Sequence, residues 1–211
     1  FIRHRTPLSL EFSANRDPEA RTGSSARIKS VTAIAGMFAE HFDADVCIDK
    51  YLAGWQKNAK SKYHGMTREM IKAQWDHTRD EACRLGTLMH KYFEDVLNLA
   101  EPRISPEIRV EASHFTTFLR SYPFEGVASG KLTPFRTELS VFDPDLRVAG
   151  QLDFLVANDD GTYDIWDWKR SKKTLKTDEA SGWPPKSMTR PLAHLRDNSY
   201  HKYSMQLNIY R

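Results

Sequence analysis

GQLDFLVANDDGTYDIWDWK, residues Gly150 to Lys169, is the stretch on which the reading of this chain turns. Its apolar residues fall into two short runs, Gln151 to Ala157 and Tyr163 to Lys169. The Asn158-Asp159-Asp160-Gly161 between them has the composition of a tight turn. An antiparallel hairpin is expected. Runs of Leu, Phe, Val, Ile and Trp mark interior strands, yet Asp153, Asp167 and Lys169 are set among them. An ionised group in a sheet interior is unfavourable unless it is paired or bound to a metal. Placing Ala157 opposite Tyr163 puts Asp153 opposite Asp167, and Lys169, two residues on, shares their face. Leu152, Phe154, Trp166 and Trp168 then line the other face. Opposed carboxylates repel, so this register predicts a divalent cation as the third party.

Working outward, 211 residues with 40% hydrophobic and 28% charged content suit one soluble domain with an extension and a substantial core. No apolar run approaches the roughly 20 residues of a bilayer span, so no membrane partner is expected. Cys47 and Cys83 do not make a disulfide framework and fit a reducing, intracellular setting. Two cysteines also exclude a four-cysteine iron–sulfur cluster within this chain. The chain opens at Phe1 with no signal pattern and ends at Arg211 inside a helical run, so it reads as a piece of a larger polypeptide. Other domains of that polypeptide are expected partners. The net charge of +3 is unevenly placed: from Lys169 to Lys202, nine Lys/Arg stand against three acids, a local +6. Such a run is either a solvated loop or a phosphate-binding edge.

Residues 1–29 are polar and basic without periodicity and read as an extended, flexible arm that orders only against the body or nucleic acid, 30–85 as a helical extension and 86–211 as the core. Ser30 is the expected N-cap of a helix carrying Val31, Ile34, Met37, Phe38 and Phe42, and a second short helix falls within 46–65. Thr67 opens the longest helical pattern, which runs to about Leu99. On it Gly86, His90 and Glu94 are four apart and stack along one side. Gly86 permits close approach to a neighbouring backbone, at about 1 kcal/mol of helix propensity. A lone histidine is a packed residue or a ligand, and Glu94 orients it or solvates the helix. After Pro102 and Pro106, residues 107–120 form another amphipathic helix, and Pro134 to Phe142 a strand. Pairing Phe142 with Arg147 sets Glu138 opposite Gln151, on the Asp153 face, as an auxiliary acid or half of a surface ion pair. Gln206 and Tyr210 share a side of the last helix, which begins near Ser199.

Taken in order, Gly86-x3-His90-x3-Glu94, Gly150-Gln-Leu-Asp153, Asp167-Trp-Lys169 and Gln206-x3-Tyr210 resemble the motifs of the PD-(D/E)xK nuclease superfamily, in its RecB-like exonuclease branch. The resemblance spans about Gly86 to Tyr210, and residues 1–85 have no counterpart in it. It implies an α/β fold of the restriction-endonuclease type, a mixed central sheet flanked by helices, which in the family usually gains a further strand after the glutamine helix. It implies one or two Mg²⁺ or Mn²⁺ ions held by His90, Asp153, Asp167 and the Trp168 carbonyl, with Glu138 auxiliary. Lys169 positions the attacking water or stabilises developing charge, and Gln206, with Tyr210 beside it, orients a substrate phosphate. An imidazole among oxygen ligands tilts the preference towards Mn²⁺.

The function expected is a metal-dependent exonuclease acting on single-stranded DNA or duplex ends. An RNA endonuclease of cap-snatching type and a catalytically inactive nucleic-acid-binding module are the alternatives. The segment from Lys172 to Arg196 exceeds the 2–6 residues usual between a strand and a helix. It is expected to overhang the site and grip a single strand through Lys172, Lys173, Lys176 and Arg190, with Trp183 stacking on a base.

Overall fold

The computed structural model describes residues 2–6, 28–122, 133–171, 173–178 and 186–211. In chain order these form β1 (Ile2–Thr6), β2 (Lys29–Ser30), α1 (Val31–Gly36), α2 (Ala44–Lys57) and α3 (Arg68–Leu97). A short 3-10 turn leads into α4 (Arg109–Ser121), followed by β3 (Thr133–Asp143), β4 (Val148–Ala157), β5 (Tyr163–Asp167) and α5 (Ser199–Tyr210). The architecture is mixed α/β. The sheet runs β1-β5-β4-β2, with β3 also paired to β4. Only the β2–β4 pairing is parallel among the described strands.

The β4–β5 hairpin has the register expected from its sequence, with Ala157 opposite Tyr163 and Phe154 opposite Trp166. One step further brings Asp153 level with Asp167. The β3–β4 register is corrected. Ser140, not Glu138, stands opposite Gln151, because the turn at Pro144 to Arg147 pairs Asp143 with Val148. The shift is two residues, and side chains alternate with a period of two, so Glu138 keeps the face it was assigned. Within the paired run Glu138 is skipped, and its φ of 47° is in the left-handed region.

Two layers cover the sheet. Phe154, Val156, Trp166 and Trp168 pack on Met89 and Phe93 of α3 and on Phe115 and Phe118 of α4. Phe93 stacks on Phe115 at 4.0 Å, and Trp168 meets both rings edge-on. On the other side Leu155 and Ile165 pack against Leu207 of α5. Leu152 joins this second cluster with Leu139 and Val141, not the Phe154 face assigned to it from alternation alone. The change of side coincides with the departure of Glu138 from extended geometry, and such irregularities re-aim neighbouring side chains.

Thr67 caps α3 through Oγ1 and Asn198 caps α5 through Oδ1. Ser30 caps α1 as expected, yet α1 stops at Gly36 instead of continuing to Phe42. The backbone beyond it is claimed by tertiary hydrogen bonds: Thr189 N–H donates to the Phe38 carbonyl, and Glu40 N–H to Asp197 Oδ2. In the N-terminal arm, residues 2–6 form β1 on the β5 edge, with Ile2 opposite Asp167. Ile48, Tyr63 and Ile71 make a small separate core between α2 and the start of α3. The 85/86 boundary expected between extension and core falls inside α3. No helix among the described residues is long and apolar enough to cross a membrane.

Candidate metal centre

α3 carries His90 to the sheet, where β3 supplies Glu138 and β4 supplies Asp153. His90 Nδ1 lies 3.5 Å from Asp153 Oδ1 and 3.7 Å from Glu138 Oε1. One donor atom from each of the three residues falls within 4.8 Å of the others. These separations exceed hydrogen-bond lengths. Among the described residues neither carboxylate has an ion pair with a lysine or arginine, because the nearest ammonium, Lys169, is engaged elsewhere. One imidazole and two carboxylates held together in this way are a donor set that fits Mn²⁺ or Mg²⁺.

Asp167 lies beside this cluster. It is 2% exposed, and Lys169 Nζ sits 2.9 Å from its Oδ1 and 2.7 Å from its Oδ2. Gln206 Nε2 donates to the same Oδ1 at 3.0 Å. Asp167 is thus paired with the lysine two residues away, and it lies outside the group of possible ligand atoms formed by His90, Glu138 and Asp153. Trp168 donates its N–H to Asp153 Oδ2 at 2.6 Å, fixing that carboxylate, while its indole is buried in the core. Glu94 faces Lys91 at 3.3 Å instead of His90. Among the described residues, a Cβ added at Gly86 would meet nothing within 4 Å, and none makes the close approach that Gly86 permits.

Burial, and next the charge of Asp167, push the Asp153 carboxyl up to about 6, against His90, the Trp168 N–H and Lys169. Burial pulls His90 down, but the Glu138 and Asp153 carboxylates outweigh it and leave the imidazole raised above its ordinary value.

Tyr210 acts on the backbone. Its hydroxyl donates to the Gln151 carbonyl at 2.9 Å and accepts from the Gln151 N–H at 3.2 Å. The ring lies over Gly150, where an added Cβ would come within 2.5 Å of Cε1. An open cavity of about 720 Å³ reaches from Ser30 and Phe142 to Asp153, Lys169, Gln206 and Tyr210.

Sequence reasoning missed Tyr203, whose ring lies 5.2 Å from Lys169 Nζ. The signal was its position three residues before Gln206 and seven before Tyr210, on the same side of α5. It also missed the 2.7 Å ion pair between Arg170 and Glu111 that ties the end of the hairpin to α4.

Of the expected phosphate-binding residues, Lys172 and Trp183 lie outside the described residues. Lys173, Lys176 and Arg190 are exposed. The carbonyls of Lys176 and Thr177 accept from Asn198 Nδ2, which ties this stretch to the start of α5. Residues 186–198 fold on themselves through the Ser187–Arg196 bridge and pack on the linker after α1, with Lys186 paired to Glu40. This described part is docked beside α1 and α5. No protein-family model matches the chain, and neither a curated protein nor a solved structure matches it at a significant level.

Proposed function

We propose that the chain is a metal-dependent nuclease of the PD-(D/E)xK type, with a restriction-endonuclease-like core and DNA as its substrate. The observation that carries the reading is the convergence of His90, Glu138 and Asp153 from α3, β3 and β4 on one point, with Lys169, Asp167 and Gln206 alongside. A divalent cation bound there supplies a Lewis acid and lowers the pKa of bound water.

The protein's own groups do the rest. Trp168 N–H holds one oxygen of Asp153, leaving the other facing His90. Asp167 and the Tyr203 ring fix the Lys169 ammonium at the edge of the site, where it stabilises charge developing on a phosphate oxygen. Gln206 holds the buried Asp167 carboxylate in place through Oδ1. Tyr210 locks the backbone of β4 two residues before Asp153. The cavity beside them, open at Phe142 and Ser30, is where a nucleotide next to the scissile phosphate would lie.

The test is cleavage of end-labelled linear and closed circular DNA and RNA with Mg²⁺ or Mn²⁺. Asp153→Asn should lower the rate at least about a hundredfold while leaving oligonucleotide binding in place, since several kcal/mol of charge stabilisation are removed. Full activity in that variant would exclude the assignment. Degradation of RNA alone would favour the endoribonuclease reading.

A further inference from the structure

The loop between α2 and α3, far from the metal centre, presents a different kind of surface. From Lys50 to Met66 the chain carries four lysines (50, 57, 60 and 62) and no acid, with His64 beside them. All four are exposed, and among the described residues none enters an ion pair. The nearest acids of α2 are already matched: Asp45 and Asp49 are both held by Arg68, and Asp45 also by Lys72 at 2.9 Å.

This surface is held in shape by its own side chains. Gln56 Nε2 donates to the carbonyls of Tyr63 at 3.2 Å and Met66 at 2.8 Å, and its Oε1 accepts from Gly65 N–H at 2.9 Å. Trp75 Nε1 donates to the Tyr63 hydroxyl at 2.7 Å, and Trp55 packs on Tyr63 with ring centres 4.6 Å apart. Beside the loop, Tyr51 stacks on Trp55 at 5.9 Å and remains 39% exposed. Lysines that serve only to hydrate a loop gain nothing from a pinned backbone, since ordering it loses conformational entropy.

We propose that the α2–α3 loop, with Tyr51 and Trp55, is a second binding surface that takes a single-stranded polynucleotide. The ammonium groups neutralise phosphates, and the Tyr51 ring, which has Lys50 Nζ 5.3 Å from its centre, stacks on a base once that lysine turns to a phosphate. Among partners drawn to a cationic surface, a polynucleotide is the one that uses the adjoining ring as well. Ile71, in the core under this surface, precedes His90 by nineteen residues of α3, about 28 Å at 1.5 Å per residue. At about 3.4 Å per nucleotide in a stacked strand, touching both places takes roughly eight nucleotides, and fewer in a strand drawn out of its stack. The inference rests on the nuclease reading only for this route, and binding at the loop is separable from cleavage.

The experiment is equilibrium binding of the whole chain, in chelator, to labelled oligo(dT) and oligo(U) of roughly 3 and roughly 20 nucleotides, below and above that span. The longer strands should bind more tightly. Lys57→Ala, Lys60→Ala and Lys62→Ala together should remove the advantage and flatten the salt slope by up to about 2, at about 0.7 per lost contact. Tyr51→Ala should weaken binding of the longer strand about fivefold or more. A triple variant with the parent's melting temperature, affinity and salt slope overturns the proposal. So does a parent that takes duplex DNA or polyglutamate but neither oligonucleotide. If the chain cleaves nothing yet the triple variant loses the long-strand advantage, the surface stands and the nuclease reading falls.

Discussion

Burial and the neighbouring Asp167 raise the Asp153 carboxyl from 3.8 to about 6, and the sign of that shift is measurable. A carboxyl whose folded pKa lies above its unfolded value keeps its proton longer in the native state. Without metal, its contribution to stability is fully present below about pH 4 and is lost as pH rises to about 6, on the order of 3 kcal/mol for a shift of this size. His90, also raised, favours its protonated form in the fold and adds a loss in the same direction as pH climbs through its own range. Asp153→Asn removes the carboxyl. Urea melts in chelator should therefore show the variant gaining on the parent between pH 4 and 7 by a few kcal/mol. Parallel pH profiles for the two proteins would mean that Asp153 titrates as an ordinary surface acid and that the site is not built to hold charge.

At the level of elements, α5 is fastened to β4 by the packing of Leu207 and by the Tyr210 ring, and a single methyl group tests the second. A Cβ at Gly150 would lie 2.5 Å from Tyr210 Cε1 and 2.7 Å from its hydroxyl oxygen. The ring is held by two hydrogen bonds to Gln151 and cannot move aside without losing them. Gly150→Ala should destabilise the protein by about 1–3 kcal/mol. In Tyr210→Ala the obstruction is gone, so the double variant should be more stable than the sum of the singles predicts. Additive effects in denaturant melts would separate the two residues. The β4–β5 hairpin was legible in the sequence because a period of two and a turn of fixed composition leave one register that clusters the charges. The β3–β4 register was not, since the turn at Pro144 to Arg147 admits more than one closure, and the φ of Glu138 has no sequence mark. The stop of α1 was hidden because hydrogen bonds from residues far along the chain, Thr189 and Asp197, decide it. The pairing of Ile2 to Thr6 with β5 was equally hidden, because a basic pentapeptide carries no apolar alternation that announces a strand. His90 could be named from its spacing along a helix, but its meeting with Glu138 and Asp153 depends on how α3 crosses the sheet.

Across the whole molecule, His90, Glu138 and Asp153 bring together α3 and the sheet, which also meet through packing and through the 3.1 Å hydrogen bond from Asn98 Nδ2 to Thr137 Oγ1. His90 stands on the 30-residue α3, which also carries the small core of Ile48, Tyr63 and Ile71, while Glu138 and Asp153 belong to the sheet. A cation bound by all three binds the folded state and finds no such set in the unfolded chain. It therefore stabilises by mass action, about 2.7 kcal/mol at a free concentration 100 times its dissociation constant. For a protein of this length that raises the melting temperature by about 5–10 °C. Thermal melts with increasing Mn²⁺ should show the midpoint climbing with concentration and returning on addition of chelator. The same titration of Asp153→Asn or His90→Ala should give little or no rise, with His90→Ala losing more response to Mn²⁺ than to Mg²⁺ because imidazole is the softer ligand. A parent protein whose midpoint ignores both ions would remove the proposed metal centre, and with it the proposed cleavage, while leaving the proposed polynucleotide surface on the α2–α3 loop to stand or fall by its own binding.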